Sequence, residues 1–413
     1  MAPGFFIIAR AALTMIRSFL SITSSIFLVS ILPAAVGVGW NQDNKHFKPA
    51  SAHEGDISVF LKPATFETQQ LFDRGRFPNI HVAMDGTVLA AFGNVEIRRS
   101  EDGGKTWSPA TLIAKGFSIS GLTVDEISGD ILAFMEEAHP PSPLHLYRSR
   151  DAGKSWKQED FTLHPNSLGH TPAMHMNEKG ITLRHGRFKG RLVVPCRWYG
   201  RTNYPPEFFH THYTNAIFSD DGGRTWKASE PVPIMGCGEA AIAELSDGTL
   251  HYNTRRHWAP TKEDALKRWN AISTDAGQTW ENPVRSSILP DGNTDSTYGL
   301  MGGLVRLPVL GRDILVFSNI VSDQGRRNGH VWASFDGGQT WPVRRQVFAG
   351  NFAYSALAAG RPGTPSEGLV YLLHEGGPDG GGTVARFNLS WLLEGEETGD
   401  GAIPDIDQSA SGR

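Results

Sequence analysis

The chain has 413 residues, which is long enough for one large domain with a substantial hydrophobic core. It carries 39 lysine and arginine residues against 43 aspartate and glutamate residues, for a net charge of −4. This balance, without any block of basic residues, argues against nucleic acid as a partner. The only two cysteines, Cys196 and Cys237, each stand beside an apolar, strand-like run. We expect them to be buried free thiols rather than a disulfide or a metal pair.

The N-terminus has the pattern of an export signal. Arg10 and Arg17 precede an apolar run from Phe19 to Val36, and small residues stand at the end of that run. Met15 is an alternative start that gives the peptide more usual proportions. A run of about 18 apolar positions could also span a bilayer as an uncleaved anchor. We therefore expect residues 1–39 to be a signal peptide or an N-terminal anchor, the protein to be secreted or periplasmic, and the mature chain to have no membrane span.

One eight-residue pattern, Ser-x-Asp-x-Gly-x-Ser/Thr-Trp, recurs five times along the chain. The aspartate and the hydroxyl can bond backbone N–H groups of a tight turn, glycine accepts the positive φ of that turn, and tryptophan packs between sheets. We interpret the five aspartates as structural and assign them no chemistry. The five copies, called boxes below, are Ser100–Trp107, Ser149–Trp156, Ser219–Trp226, Ser273–Trp280 and Ser334–Trp341.

The spacing of the boxes and a second repeat predict an all-β propeller. The boxes start 49, 70, 54 and 61 residues apart, which is typical of one blade each. Turn-like segments between apolar, β-prone runs indicate six hairpins, at 82–92, 123–135, 180–195, 241–253, 303–317 and 356–373. We therefore predict a six-bladed β-propeller with four-stranded blades and five boxes.

The predicted propeller spans residues 50–395, and residues 396–413 are expected to be a disordered tail because they are acidic and rich in glycine. The segment 383–392 is expected to be the last outer strand. The segment 40–70 either crosses the base of the propeller or supplies an outer strand, and the sequence leaves both alternatives open.

Propellers bind ligands at the axis, near the innermost strand of each blade. Three arginines stand at such positions in three different units: Arg76, Arg255 and Arg326. Guanidinium groups offer planar paired donors that suit a carboxylate. Each one alone could be an ordinary strand arginine, but their shared placement predicts a central anion site.

At these residues the chain resembles the bacterial-type sialidases (neuraminidases). The resemblance covers about residues 72–392, and the ordered series of arginine, glutamate and tyrosine positions is more specific than the boxes, which occur in many propellers. The matching segments are Arg76-Phe77-Pro78, Glu239 through Asn253-Thr254-Arg255, Arg326-Arg327-Asn328, Tyr354-Ser355-Ala356-Leu357 and the run that ends at Glu375.

The resemblance implies a role for each of these residues. Arg76, Arg255 and Arg326 would bind the carboxylate of a sialic acid, and Glu375 would orient Arg76. Tyr354 would be the nucleophile and Glu239 the base that takes its proton, since a neutral phenol is not repelled by the carboxylate of the substrate. Sialidases with a tyrosine nucleophile are a known exception to the two-carboxylate rule for glycosidases. No metal and no cofactor is implied.

The chain departs from the family at one point. In the family, a long loop after the first hairpin carries an aspartate that protonates the leaving group, whereas here residues 92–99 run almost directly into the first box. Glu96 is a poor substitute, because it is predicted to lie on an outer strand. The proton donor stays open among four other residues: His81, Glu136, His170 and His175.

Three functions remain from the sequence. The leading one is a secreted, monomeric exo-glycosidase that hydrolyses a terminal sialic acid or related acidic sugar, with retention through Tyr354. The second is a sialidase-fold enzyme, such as a lyase, on another acidic sugar, which the short loop and the five histidines between His170 and His212 favour. The third is a glycan-binding propeller without catalysis. Two alternatives stay open for five aromatic residues, an aromatic rim that stacks on sugar rings or a solvated loop: Tyr199, Tyr204, Phe208, Phe209 and Trp258.

Overall fold

A computed structural model describes residues 53–393 except 94, 201–209, 259–260, 262–263, 265 and 292–298. The predicted signal or anchor at 1–39 and the predicted tail at 396–413 lie outside the described residues, as do Tyr204, Phe208 and Phe209 of the predicted rim. Within the described ranges, no helix has the length and apolar character needed to cross a bilayer.

The described residues form 24 strands and three helical segments of a single turn, so the all-β prediction is confirmed. The helical segments are Ile57–Val59, Gly186–Phe188 and Leu389–Leu393. The strands are β1 (Phe66–Phe72), β2 (Asn79–Val82), β3 (Val88–Phe92), β4 (Glu96–Ser100), β5 (Thr111–Leu112), β6 (Ser118–Val124), β7 (Ile131–Glu136), β8 (Leu144–Ser149), β9 (Lys157–Glu159), β10 (Thr162–His164), β11 (Ile181–Thr182), β12 (Leu192–Trp198), β13 (Tyr213–Ser219), β14 (Thr225–Ala228), β15 (Cys237–Glu244), β16 (Leu250–Arg256), β17 (Lys267–Ser273), β18 (Glu281–Pro290), β19 (Leu304–Arg306), β20 (Leu315–Ile320), β21 (Arg327–Ser334), β22 (Val343–Ala359), β23 (Val370–Gly376) and β24 (Gly382–Phe387).

The strands pair into sheets arranged like the blades of a propeller. Three sheets have four strands each, in the orders β2-β3-β4-β5, β6-β7-β8-β9 and β15-β16-β17-β18. A fourth has the order β10-β14-β13-β12-β11, and the largest has seven strands in the order β1-β24-β23-β22-β21-β20-β19. The innermost strands contact one another around a central channel: β2 contacts β6 and β22, β11 contacts β6 and β15, and β19 contacts β15 and β22.

The predicted count of six separate four-stranded blades is wrong. All six predicted hairpins are present, but the described residues form five sheets, because the last two hairpins share the long strand β22. Residues 343–351 of β22 pair with β21, and residues 352–359 pair with β23. The strand continues without a break from one set of partners to the next, so that two predicted blades become one sheet.

The two ends of the described chain meet in this sheet. β1 pairs antiparallel with β24 as its outer neighbour, while Gly55 pairs with Val309 near the base. Both alternatives for the segment 40–70 therefore apply, to different parts of it. The predicted last strand at 383–392 is correct only as far as Phe387, because a helical turn at Leu389–Leu393 follows, in which Trp391 stacks on Phe66 with centroids 4.4 Å apart.

Each box begins on the last residue of the third strand of its repeat unit. In the third box, the Ser219 hydroxyl accepts from Gly223 N at 2.9 Å, and Asp221 Oδ1 accepts from Thr225 N at 2.9 Å. Trp226 leaves the turn fully buried and packs on Phe134 of the preceding sheet. The boxes therefore have the structural role expected of them, which is to close the turn before the outer strand.

The inner strands run from one end of the channel to the other. β15 carries Glu239 near its start and Glu244 at its end, and five residues of extended chain span about 17 Å. The end near Glu244 holds a cavity of about 90 Å³, here called the base cavity, which is lined by charged side chains that include Glu126, Lys179, Arg306 and Arg361. The opposite end holds the residues singled out from the sequence.

Candidate active site

Arg76 is held in place by an unusual backbone and a single carboxylate. Phe77 has φ = 67°, a strained value for a bulky residue, and the following proline restricts it further. Glu375 Oε1 accepts from Phe77 N at 2.9 Å and from Arg76 Nε at 3.2 Å, while Arg76 Nη2 lies 3.4 Å from Oε2. Glu375 thus orients both the backbone and the guanidinium, which is the contact implied by the resemblance.

The connection between β3 and β4 is tight because it packs against the Arg76 loop. Gly93 N donates to Arg76 O at 2.6 Å. Gly75 has φ = +114°, and a Cβ there would lie 2.9 Å from Gly93 Cα, so this approach requires glycine. Glu96 begins β4, the third strand of its sheet, and so lies away from the inner strand.

Tyr354, Glu239 and Arg255 form a buried triangle, although they come from sequence positions up to 115 residues apart. The Tyr354 hydroxyl donates to Glu239 Oε1 at 3.1 Å. Arg255 Nη1 donates to the same carboxylate oxygen at 2.9 Å and to the Tyr354 hydroxyl at 3.3 Å. The other oxygen of Glu239, Oε2, is buried and has no hydrogen-bond partner among the described residues.

All three predicted arginines contact the same tyrosine. Besides the hydrogen bond from Arg255, the guanidinium carbons of Arg76 and Arg326 lie 5.1 and 4.9 Å from the Tyr354 ring centroid. The Arg76 side chain is 50% exposed, and Arg326 makes a long bond of 3.4 Å to Gly299 O. The structure therefore places three cations around one phenol.

The electrostatics of the triangle keep its carboxylate ionised. Burial acts to raise the pKa of Glu239, but Arg255 and Arg197 outweigh it and hold that pKa well below its ordinary value. Burial and the nearby charge of Glu239 raise the pKa of Tyr354, against the opposing effect of Arg255 and Arg326. The resting site is thus an ionised carboxylate beside a neutral phenol.

One neighbour of Glu239, Arg197, was missed by sequence reasoning. Arg197, on β12, is 1% exposed and lies 3.5 Å from Glu239 Oε1 through Nη1. Its Nη2 lies 3.1 Å from His212 Nδ1, and its guanidinium stacks over Tyr199 at 4.2 Å from the ring centroid. The only sequence feature that could have indicated Arg197 is its position within the apolar run of β12. An ordinary strand arginine gives the same pattern.

The second and third repeat units contribute a buried hydrogen-bonded chain beside the triangle. Glu136 Oε1 accepts from Met174 N at 2.7 Å and His175 N at 2.9 Å, while Oε2 lies 3.4 Å from the Ser118 hydroxyl. The same hydroxyl lies 2.9 Å from His175 Nδ1. Burial raises the pKa of Glu136 to about 7, although the two backbone N–H groups oppose it, and burial keeps the pKa of His175 well below its ordinary value.

The His175 ring connects this chain to the triangle. It meets Phe77 edge-on with centroids 4.8 Å apart, and Phe77 lies 6.2 Å from the Tyr354 ring. The ring centroids of Phe117 and His139 lie 5.0 and 5.2 Å from that of His175, so these two rings form an aromatic wall together with Phe77 and His175. A groove of about 530 Å³ lies next to this wall, and its lining includes Glu136, Trp198 and Tyr199.

The four open candidates for a proton donor lie in different places. His81 lines the base cavity at the other end of the channel. His170 stacks on Trp198 with centroids 3.9 Å apart. Of the four, only His175 is part of the aromatic wall near Tyr354, and Glu136 accepts a hydrogen bond from its backbone N–H. The structure therefore separates these two candidates from His81 and His170.

Two residues of the predicted aromatic rim, Tyr199 and Trp258, lie among the described residues. Tyr199 is buried over Arg197, whereas Trp258 is 40% exposed. Among the described residues, no three His, Cys, Asp or Glu side chains are grouped as metal ligands, and Cys196 and Cys237 are buried free thiols.

The all-β, propeller-like fold, with arginines, a tyrosine and a glutamate gathered on its inner strands, defines the class of the protein as a repeat propeller, and comparison with known proteins specifies the family. The BNR repeat-like domain family matches residues 90–366. A sialidase of Micromonospora viridifaciens is 30% identical over 381 residues, 81% of this chain and 54% of the relative. A sialidase of Bacteroides fragilis is 26% identical over 68% of this chain and 57% of the relative.

Solved structures support the same fold. The Hadza microbial sialidase Hz136 has a TM-score of 0.61 at 23% identity, covering 77% of this chain and 66% of that one. A leech intramolecular trans-sialidase, complexed with 2,7-anhydro-Neu5Ac, has a TM-score of 0.61 at 16% identity, covering 78% and 69%. The chain belongs to the BNR-repeat, bacterial-type sialidase family. It spans a little over half the length of the two bacterial sialidases named above.

Proposed function

We propose that this protein is an exo-glycosidase of the sialidase type, which hydrolyses a terminal sialic acid or a related acidic sugar from glycoconjugates with retention of configuration. The observation that carries the proposal is the Tyr354 hydroxyl, bonded to both Glu239 and Arg255, with the guanidinium groups of Arg76 and Arg326 against its ring.

The geometry suits a sugar that has its carboxylate on the anomeric carbon. The arginines around Tyr354 would bind that carboxylate and so place the anomeric carbon next to the phenol oxygen. Tyr354 would attack, and its proton would pass to Glu239 as the C–O bond forms. A neutral nucleophile avoids the repulsion that a carboxylate nucleophile would meet at this carbon.

The substrate would also adjust the base. In the empty site Arg255 and Arg197 hold the pKa of Glu239 far below its ordinary value, which makes the carboxylate a weak base. A bound carboxylate offsets part of the positive charge around Tyr354, so the pKa of Glu239 rises when the site is filled. The proton transfer is therefore favoured only in the complex.

The test is the variant Tyr354→Phe, measured on a sialyl glycoside. We expect kcat/KM to fall by about 10³-fold or more with little change in Tm, because only one oxygen is removed. Tyr371→Phe is the matched control, since Tyr371 is also buried and its hydroxyl has no hydrogen-bond partner among the described residues. Full activity of Tyr354→Phe, or an equal loss in both variants, would refute the nucleophile assignment.

The released product separates the remaining candidates. Proton NMR of the first product shows whether the anomeric configuration is retained. A sialidase-fold lyase on another acidic sugar is the second candidate, because His175 packs on Phe77, which lies 6.2 Å from the Tyr354 ring, and no described residue of the β3–β4 connection is an aspartate. A lyase would give an unsaturated product that is lighter than the hydrolysis product by one water. A protein that binds the glycan and releases nothing would support the non-catalytic reading.

We also propose that the protein is exported, on the basis of Arg10, Arg17 and the apolar run that follows them. Fractionation of expressing cells and N-terminal sequencing of the product would test this. A protein retained in the cytoplasm with residues 1–39 intact would contradict it.

A further inference from the structure

The short β3–β4 connection carries no aspartate that could protonate the leaving group. A hydrogen-bonded chain of three side chains, Glu136, Ser118 and His175, lies near the same site. We propose that Glu136 is the proton source for the leaving group and that it acts through Ser118 and His175, with His175 Nε2 as the atom that meets the glycosidic oxygen. This inference rests on the glycosidase function proposed above and names the missing acid of that same site.

The hydrogen bonds fix where the proton of Glu136 sits. Oε1 accepts two backbone N–H groups at 2.7 and 2.9 Å, so the carboxylic acid keeps its hydrogen on Oε2, the oxygen that faces Ser118. When Oε2–H donates to Ser118 Oγ, the Ser118 hydroxyl donates to His175 Nδ1. The imidazole then carries its own hydrogen on Nε2.

The sequence places these groups in register. Ser118 opens β6 and Glu136 closes β7, and the two residues are direct partners in the antiparallel ladder. Met174 and His175 belong to the third repeat unit, and the two bonds from their N–H groups to Glu136 fix the turn there. Glu136 and Ser118 have no exposed surface, so bulk water does not replace the link between them, and His175 is the member of the chain that keeps some exposure, at 1%.

The position relative to Tyr354 agrees with a role at the leaving group. The His175 and Tyr354 rings both pack near Phe77, at centroid distances of 4.8 and 6.2 Å, and Phe117 and His139 border the His175 ring. The groove lined by Glu136, Trp198 and Tyr199 is next to the aromatic wall and offers space for the part of the substrate that departs.

The charges that face His175 favour a neutral ring. His139, Arg197 and Arg76 lower its pKa and Glu239 raises it, while burial has the largest effect and lowers it. The ring therefore passes a proton on rather than storing one. Burial raises the pKa of Glu136 to about 7, which keeps a proton available near neutral pH. Tyr199 is the other titratable group coupled to Glu136, and it stays neutral because burial raises its pKa.

The proton balance closes over both steps. As the glycosidic bond breaks, Nε2–H protonates the departing oxygen, Nδ1 takes the Ser118 hydrogen, and Ser118 takes the hydrogen of Glu136 Oε2. The sugar is then bonded to Tyr354, whose proton is on Glu239. In the second step Nε2 takes a proton from the attacking water and the chain runs in reverse, while Glu239 returns its proton to the phenol.

Leaving-group dependence tests the proposal. A 4-nitrophenyl sialoside needs no acid because its phenolate leaves readily, whereas 3′-sialyllactose needs one. We expect Glu136→Gln and Ser118→Ala to lower kcat/KM on sialyllactose by about 10²-fold or more and on the aryl substrate by less than about 5-fold. Glu137→Gln, an exposed neighbouring carboxylate, is the matched control. Equal losses on both substrates would overturn the relay and leave the glycosidase proposal standing.

A second measurement does not depend on activity. In histidine-labelled protein, ¹⁵N NMR should show His175 with its hydrogen on Nε2 below about pH 7 and on Nδ1 above it, following Glu136. Glu136→Gln should remove this pH dependence, and His175→Gln assigns the signal. A His175 tautomer that does not change across this pH would overturn the relay. If the tautomer changes but neither glycoside is cleaved, the proposed substrate is wrong and the relay stands.

Discussion

The two ends of the channel differ in how their charges are balanced. Around Tyr354, the guanidinium groups of Arg76 and Arg326 lie against an aromatic ring, and half of the Arg76 side chain is exposed. At the base, Glu126 is 7% exposed and is bonded to Arg184 at 2.8 Å and to Arg361 at 2.6 Å.

The base network continues in the same way. Arg306 is bonded to Glu54, which precedes β1, and to Asp313 at 2.7 Å. His53 lies 3.0 Å from Glu126. Charges that neutralise one another within the protein close a channel, whereas cations with few partners can bind an external anion. The many charges at the base neutralise one another, which argues for a structural role there. The excess of positive charge around Tyr354 argues for a ligand at that end.

The largest effect on stability is expected at the base. Glu126→Ala should lower the free energy of unfolding by about 3–5 kcal/mol, because it leaves the buried Arg361 and the half-buried Arg184 without their shared carboxylate. Denaturant unfolding measures this, with the exposed Glu101→Ala as control, and the folded fraction should keep its kcat/KM. A loss below about 1 kcal/mol would contradict the structural role of the base.

Glu136→Gln should change how stability depends on pH. The pKa of Glu136 is about 7 in the folded protein against an ordinary 4.5, so ionisation opposes folding, and that cost grows as pH rises from 4.5 to 7. The variant, which cannot ionise, should be more stable than the parent above pH 7 by at most about 3 kcal/mol and should lose this advantage below pH 4.5. Unfolding across this pH range is the measurement, and an advantage that is constant with pH would be inconsistent with a protonated Glu136.

Arg326→Ala should weaken anion binding without weakening the fold. Loss of one charged donor pair is expected to cost about 1.5–3 kcal/mol of binding free energy for free sialic acid, measured by calorimetry. Stability should change by no more than about 1 kcal/mol, because the Arg326 side chain makes one long bond, of 3.4 Å, to Gly299 O and a cation–π contact with the Tyr354 ring. Arg327→Ala, at the exposed neighbouring position, is the control. Equal affinities in the two variants would remove Arg326 from the anion site.

The smallest effect is expected at a box. Asp221→Ala should cost about 1–2 kcal/mol of stability, because it removes the acceptor for Thr225 N and Arg224 N, and it should leave kcat/KM unchanged. Thermal unfolding and a turnover assay measure the two quantities. A selective loss of turnover would show that the boxes do more than close turns.

Local and repeated features of the fold were predictable from the sequence, because a box or a hairpin is specified by a few adjacent residues. The count of separate sheets was not. Gly350-Asn351 looks like a break in the sequence, but Asn351 pairs with Arg327 and Phe352 pairs with Gly376, so the strand continues from one partner to the other. The pairing of β22 first with β21 and then with β23 depends on tertiary packing, which the residues next to Gly350 do not encode.

The site shows the same limit. The motif resemblance indicated Glu239 and Tyr354 by position, and the structure places them 3.1 Å apart, while their catalytic roles stay a prediction. Arg197 was missed because its importance depends on a neighbouring inner strand that comes near only when the ring of sheets closes. The link between Ser118 and His175 is also set by packing between two units rather than by spacing along the chain.

The uninterrupted strand β22 has a consequence for motion. Tyr354 lies just past the point where the strand changes partners, between the paired residues Phe352 and Ser355, and Phe352 N donates to Arg326 O at 3.1 Å, so both Tyr354 and Arg326 are held directly beside one hydrogen-bonded ladder. Amides in such a ladder exchange with solvent mainly through large-scale opening. Tyr354, the proposed nucleophile, and Arg326, a proposed ligand of the anion, would then keep their separation without the closing of a lid. The entropy of bringing them together would be lost during folding rather than in each catalytic cycle.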